Sequence, residues 1–104
     1  MAGLIEARPV PGGEVRLVAE DDRFLRLERM KDGRTAWTAR FDVTGGDRDL
    51  WPSQGCRLVR ASARDGVVVV ETEAEHARGG SLHRRQVHEV DLETGRVTPG
   101  RATP

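Results

Sequence analysis

The chain has 104 residues and a mass of 11.5 kDa, enough for one hydrophobic core and one domain. Lysine plus arginine and aspartate plus glutamate each total 17, so the formal net charge is zero, without the basic surplus that a dedicated nucleic-acid binder needs. Charged residues reach 33% and aromatic residues only 4%, which leaves Val, Leu and Ala to build the core around two Trp and two Phe.

Lys31 is the only lysine, Ile5 the only isoleucine, and asparagine is absent. These residues have AT-rich codons, and the bias points to a GC-rich bacterial source. One cysteine, Cys56, cannot form an internal disulfide, which fits a reducing compartment. The first residues show no basic region followed by an apolar stretch, and the longest aliphatic run is Val67-Val68-Val69-Val70. The expectation is a soluble cytoplasmic protein with no membrane contact.

Strand periodicity runs through most of the chain. Residues 4–8 and 15–20 read as strands, separated by the chain-bending cluster Pro9-Val10-Pro11-Gly12-Gly13. Leu25 and Leu27 alternate with Arg26 and Glu28; Trp37, Ala39, Phe41 and Val43 alternate with Thr38, Arg40 and Asp42. A three-residue loop, Lys31-Asp32-Gly33, would set Leu27 opposite Trp37 and Leu25 opposite Ala39 on one apolar face. A second hairpin closes at Asp65-Gly66 as a type I′ turn, pairing Ala61 with Val70, Ala63 with Val68 and Val59 with Thr72. Its other face sets Arg60 against Glu71 and sends Cys56 and Leu58 away from Val59 and Ala61; even so, Cys56 is expected to be buried as a small apolar residue. The strand over 67–75 turns back through 76–81 into a strand over 82–92. Val90, Leu92, His88 and Gln86 then share the core side, while Glu71, Glu73 and Glu75 face outward near Arg85. Residues 99–104 carry no apolar face and read as a loose tail after a single β domain over 1–98.

Two repeat-like units, about 14–46 and 55–97, are visible. Arg16-Leu17-Val18 recurs as Arg57-Leu58-Val59, and each unit ends in a similar turn, Asp42-Val43-Thr44-Gly45 and Asp91-Leu92-Glu93-Thr94-Gly95. An Asp-x-x-Thr-Gly ending before a new strand, complete in the second copy and one residue shorter in the first, resembles the blade turns of quinoprotein-like β-propellers. The resemblance covers about five residues per copy, and two blades do not make a ring.

Catalytic signatures are thin. Ser53, Ser62 and Ser81 sit in no Gly-x-Ser-x-Gly elbow, and Cys56 has no helix or evident base beside it. His83 and His88 are five apart, which puts them on opposite strand faces, so zinc is not expected. Asp42, Thr44, Asp47 and Asp49 crowd one loop but depart from the calcium-loop order, so a solvated turn is expected there, with no metal and no cofactor. The residues with binding chemistry are Trp51, outside the periodic strands; His88, on the predicted core side; and Arg78, His83, Arg84 and Arg85 near one hairpin tip.

The fold expected is an all-β antiparallel meander of six to eight strands, closing as a small barrel or folding as two packed sheets. Function reads as a small non-enzymatic interaction or binding protein, whose partner is another protein or a second copy of itself. The first strand, with Leu4-Ile5-Glu6-Ala7, carries little edge protection. The alternative is a ligand-binding β barrel, with or without enzymatic activity.

Overall fold

The computed structural model describes residues 3–21, 23–53, 55–76 and 82–102, with backbone alone for 82, 83 and 99–102. Nine strands follow one another: β1 (Gly3–Val10), β2 (Gly13–Ala19), β3 (Phe24–Lys31), β4 (Arg34–Asp42), β5 (Leu50–Pro52), β6 (Arg57–Ser62), β7 (Val67–His76), β8 (Leu82–Asp91) and β9 (Val97–Ala102). The first four form one antiparallel meander. The rest form a second antiparallel sheet in the order β5-β7-β8-β9, with β6 sharing one edge of β7 with β5. The two sheets pack face to face and do not close into a barrel. Val15, Leu17, Leu25, Leu27, Ala39 and Phe41 from the first sheet meet Leu58, Val68, Val70, Ala74 and Val90 from the second in one core.

Strands exceed the expected number because of β5, while the short final strand expected at Val97 runs on as β9. The tail expected from residue 99 onward pairs with β8 as far as Ala102, with Val97 opposite Val90 and Ala102 opposite Gln86. An edge strand is held by its backbone ladder and needs no apolar face, and Pro99 is tolerated there because one side of the strand has no partner.

Both expected hairpin registers are corrected, the first by a β-bulge and the second by a longer loop together with a β-bulge. Between β3 and β4 the turn has two residues, Asp32 (φ 53°) and Gly33 (φ 79°), as a type I′ turn requires. The extra residue is Ala36, bulged out so that Leu27 faces Ala39, Leu25 faces Phe41 and Arg29 faces Trp37. The apolar face survives with partners shifted by two.

Between β6 and β7 the loop is longer, spanning 63–66, and a bulge at Val59 sets Leu58 opposite Val70 and Ala61 opposite Val68. A regular strand cannot turn two residues three apart to one face; the bulge does so for Leu58 and Ala61. Leu58 and Cys56 are therefore buried, Val59 is exposed, and Arg57, not Arg60, faces Glu71. Glu71 and Glu73, expected in full solvent, are half-buried beneath arginines, as is Arg26 beside Glu28. Trp37 packs against the core from a half-buried position.

Arg29 lies fully among the core strands yet drew no attention in the sequence. It donates to the carbonyls of Met30 (2.8 Å) and Pro11 (2.6 Å), tying down the β1–β2 turn.

Candidate functional site

At one end of the sandwich, β4 leaves its sheet and residues 43–49 cross to the second sheet. Asp42 organises this crossing. Its Oδ1 accepts hydrogen bonds from the Thr44 N–H (3.1 Å), the Thr44 hydroxyl (2.9 Å) and the Gly45 N–H (3.0 Å). Its Oδ2 receives both Nε (2.9 Å) and Nη2 (2.6 Å) of Arg23. That pairing with Arg23, aided by the bonds from Thr44, lowers the Asp42 pKa to about 2. Thr44 is buried, and its hydroxyl oxygen accepts the Gly46 N–H (3.2 Å), while Asp47 accepts the Asp49 N–H (2.9 Å). Asp42 and Asp47, considered above for calcium, thus hold the backbone of their own loop.

The crossing ends at β5, only three residues long, where Leu50 is buried and Trp51 is 44% exposed. Arg23, Thr44, Asp47, Arg48, Leu50 and Trp51 line a shallow cleft of about 190 Å³. Trp51 therefore does not plug the core but stands beside an exposed arginine at the cleft rim.

Arg84 and Arg85 of the hairpin-tip group do not share a face. Arg84 pairs in register with the fully buried Ala74 and so points to the inner side. Arg85, opposite Glu73, points outward, donating to the Glu73 carboxylate (Nη2–Oε1 2.6 Å) and lying 3.7 Å from Glu71. Glu73 also accepts from the Ser53 hydroxyl (2.9 Å). Burial raises the Glu73 pKa, but the bonds from Ser53 and Arg85 outweigh it and leave the carboxyl below its ordinary value. Arg85 is thus committed to a surface network. Arg78 and the side chain of His83 lie outside the described residues.

His88 sits between the sheets. Its Nε2 shares a 3.0 Å hydrogen bond with the buried Thr72 hydroxyl, and its ring lies 4.7 Å from that of Phe41, tilted by 41°. Burial, with a smaller contribution from the positive charge of Arg84, holds its pKa below the ordinary histidine value. It is a satisfied core residue, partnered by a hydroxyl where a backbone carbonyl was the usual expectation.

Sequence reasoning singled out Trp51 and Arg84 separately and missed Arg23 and Arg48. Arg23 could have been found from the register, because it precedes Phe24, and Phe24 pairs with Asp42. Among the described residues no group of three or more His, Cys, Asp or Glu is placed to hold a metal ion, and no helix is long and apolar enough to cross a membrane. Comparisons with known protein families, characterised proteins and solved structures gave no match.

Proposed function

We propose that the chain is a small non-enzymatic interaction protein that docks another protein at the loop end carrying Trp51. The observation that carries this reading is the half-exposed Trp51 on a short strand, flanked by Arg48 at the rim of the cleft. Tryptophan and arginine dominate the energetics of protein interfaces because one offers a large rigid apolar surface and the other a wide hydrogen-bonding fork. The alternative was expected on a barrel, and the sheets do not close into one; Phe41 and His88 in contact between them support the interaction reading over an interior ligand site. A cytoplasmic, bacterial setting belongs to the same proposal.

A photo-crosslinking residue in place of Arg48, introduced in the source cells, tests it. One discrete heteromeric adduct, lost in a Trp51→Glu background, supports the reading. An adduct of twice 11.5 kDa, or none, overturns it in favour of self-pairing or of another surface.

A further inference from the structure

Resting on the interaction reading above, we propose that Arg84 receives a carboxylate from an acidic segment of the partner protein. The argument starts from which arginines have acceptors. Among the described residues, Arg8, Arg16, Arg26 and Arg85 are half-buried and each is paired to a glutamate; the buried Arg29 is bonded to two carbonyls. Arg84 is half-buried as well, yet among the described residues it makes neither an ion pair nor a hydrogen bond. No buried side-chain nitrogen among the described residues lacks a partner, so the unpaired guanidinium nitrogens of Arg84 reach solvent and stand open to an anion from outside.

Its surroundings are arranged to hold it in place and leave it unneutralised. The guanidinium lies against the backbone of Gly45, in the space that a Cβ would fill, and Gly45 has φ +66°. Any side chain at 45 would displace the arginine and strain the turn. The nearby Asp42 is committed to Arg23 and to its own loop, and Asp47 to the Asp49 N–H. Beneath Arg84, Thr72 and His88 satisfy each other. Hence, among the described residues, no carboxylate is paired with Arg84.

The planar fork of arginine binds a carboxylate through two parallel hydrogen bonds, more strongly and with more directional demand than lysine would. The choice of a protein-borne carboxylate over a free one follows from the neighbouring surface. The adjoining cleft is open and about 190 Å³, room for a single side chain, and Trp51 offers apolar area that a small free acid would leave unused.

The test is an NMR titration of the full ¹⁵N-labelled chain, reading the Arg84 Nε–Hε resonance and the Gly45 amide. The probes are a capped hexapeptide of alternating Glu and Leu, sodium acetate and sodium chloride, at matched ionic strength. The peptide is expected to shift both signals saturably, with at least tenfold weaker binding by Arg84→Lys and unchanged binding by Arg85→Lys. Occupation also neutralises the positive charge that disfavours protonated His88, so the His88 titration midpoint rises when peptide is bound. Shifts of equal size with chloride, shifts that persist in Arg84→Lys, or no saturation would overturn the proposal. Acetate binding as tightly as the peptide would overturn the protein source of the carboxylate. A crosslink near Trp51 that is indifferent to Arg84→Lys would remove this inference while leaving the interaction reading in place.

Discussion

Along one side of the sandwich, β1 and β6 meet as strand edges; along the other, β4 faces the turn that follows β8. The first seam is stitched by charge. Glu6 accepts the Leu58 N–H (3.0 Å), Arg8 donates to the Val59 carbonyl (3.1 Å), and the two side chains pair with each other (2.9 Å). The second seam is stitched by an aromatic ring: the Trp37 indole N–H donates to the Leu92 carbonyl (2.8 Å), and its ring lies where any side chain at Gly95 would have to go. What separates them is the kind of side chain that a bulge turns inward, because at the second seam the bulge at Ala36 sets Trp37 opposite the buried Arg29. A bulge at Ile5 sets Glu6 and Arg8 opposite the buried Leu17 and Val15, so two charged side chains turn inward from an edge strand. There they reach the backbone of β6, which is itself bulged at Val59. Inward-pointing charge and bulges are both ways of stopping an edge from pairing with a stranger. The β1 edge that looked unprotected in sequence is therefore guarded over its second half, while Leu4 and Ile5 remain exposed.

The aromatic seam is the one expected to fail hardest. Trp37→Ala removes the ring and its hydrogen bond and should cost about 3 kcal/mol, the low end for a large aromatic because the site is half-buried. Urea unfolding measures it, and a loss below about 1 kcal/mol would show that the ring does not hold that seam. At the charged seam, Glu6→Ala leaves the Leu58 N–H without its acceptor and should cost about 2 kcal/mol. Glu6→Gln keeps an acceptor and should recover most of it. Equal losses for the two variants would mean that the charge, not the acceptor, closes the seam.

Between the seams lies His88, and acidification probes the packing there. Its folded pKa is depressed, so below about 6.5 the unfolded chain binds a proton that the native chain resists. Stability should therefore fall as pH drops below about 6.5, until the folded pKa is passed. Melting temperatures at pH 7 and 5 read this, and His88→Gln should flatten the slope across that window. The smallest effect is expected at the outer face. Arg40 is exposed, bonded to Glu20 (2.8 Å) and placed 3.8 Å above the Phe24 ring, and Arg40→Ala should cost no more than about 1 kcal/mol. A larger loss would make that face part of what holds the sheet together.

Strands and their apolar faces were legible because alternation in 24–30, 37–43 and 67–75 directly reports a two-residue period. Register was not. Bulges at Ile5, Ala36 and Val59 each insert one apolar residue that no turn signal marks, and each reverses which neighbours face inward. Trp51 stood out as an aromatic beyond the periodic segments. Arg84 and Arg85 looked like one patch because adjacent residues are close in sequence, although a strand sends them to opposite faces. The role of Arg23 depended on Asp42 being its partner across a hairpin, and composition carries no trace of such a pairing.

Cys56 gives the molecule its own clock. The thiol is buried, donates to the Glu73 carbonyl and accepts the Glu73 N–H, each at 3.3 Å, and burial pushes its pKa upward. A thiol held in that way is closed to alkylation until the connection between β5 and β6 parts from β7, since the thiolate is the reacting form. Because the sequence has a single cysteine, the rate at which an alkylating reagent labels intact protein counts the openings of that one contact. A label added at one position would thus time the loosening of the second sheet while the first stays out of the measurement.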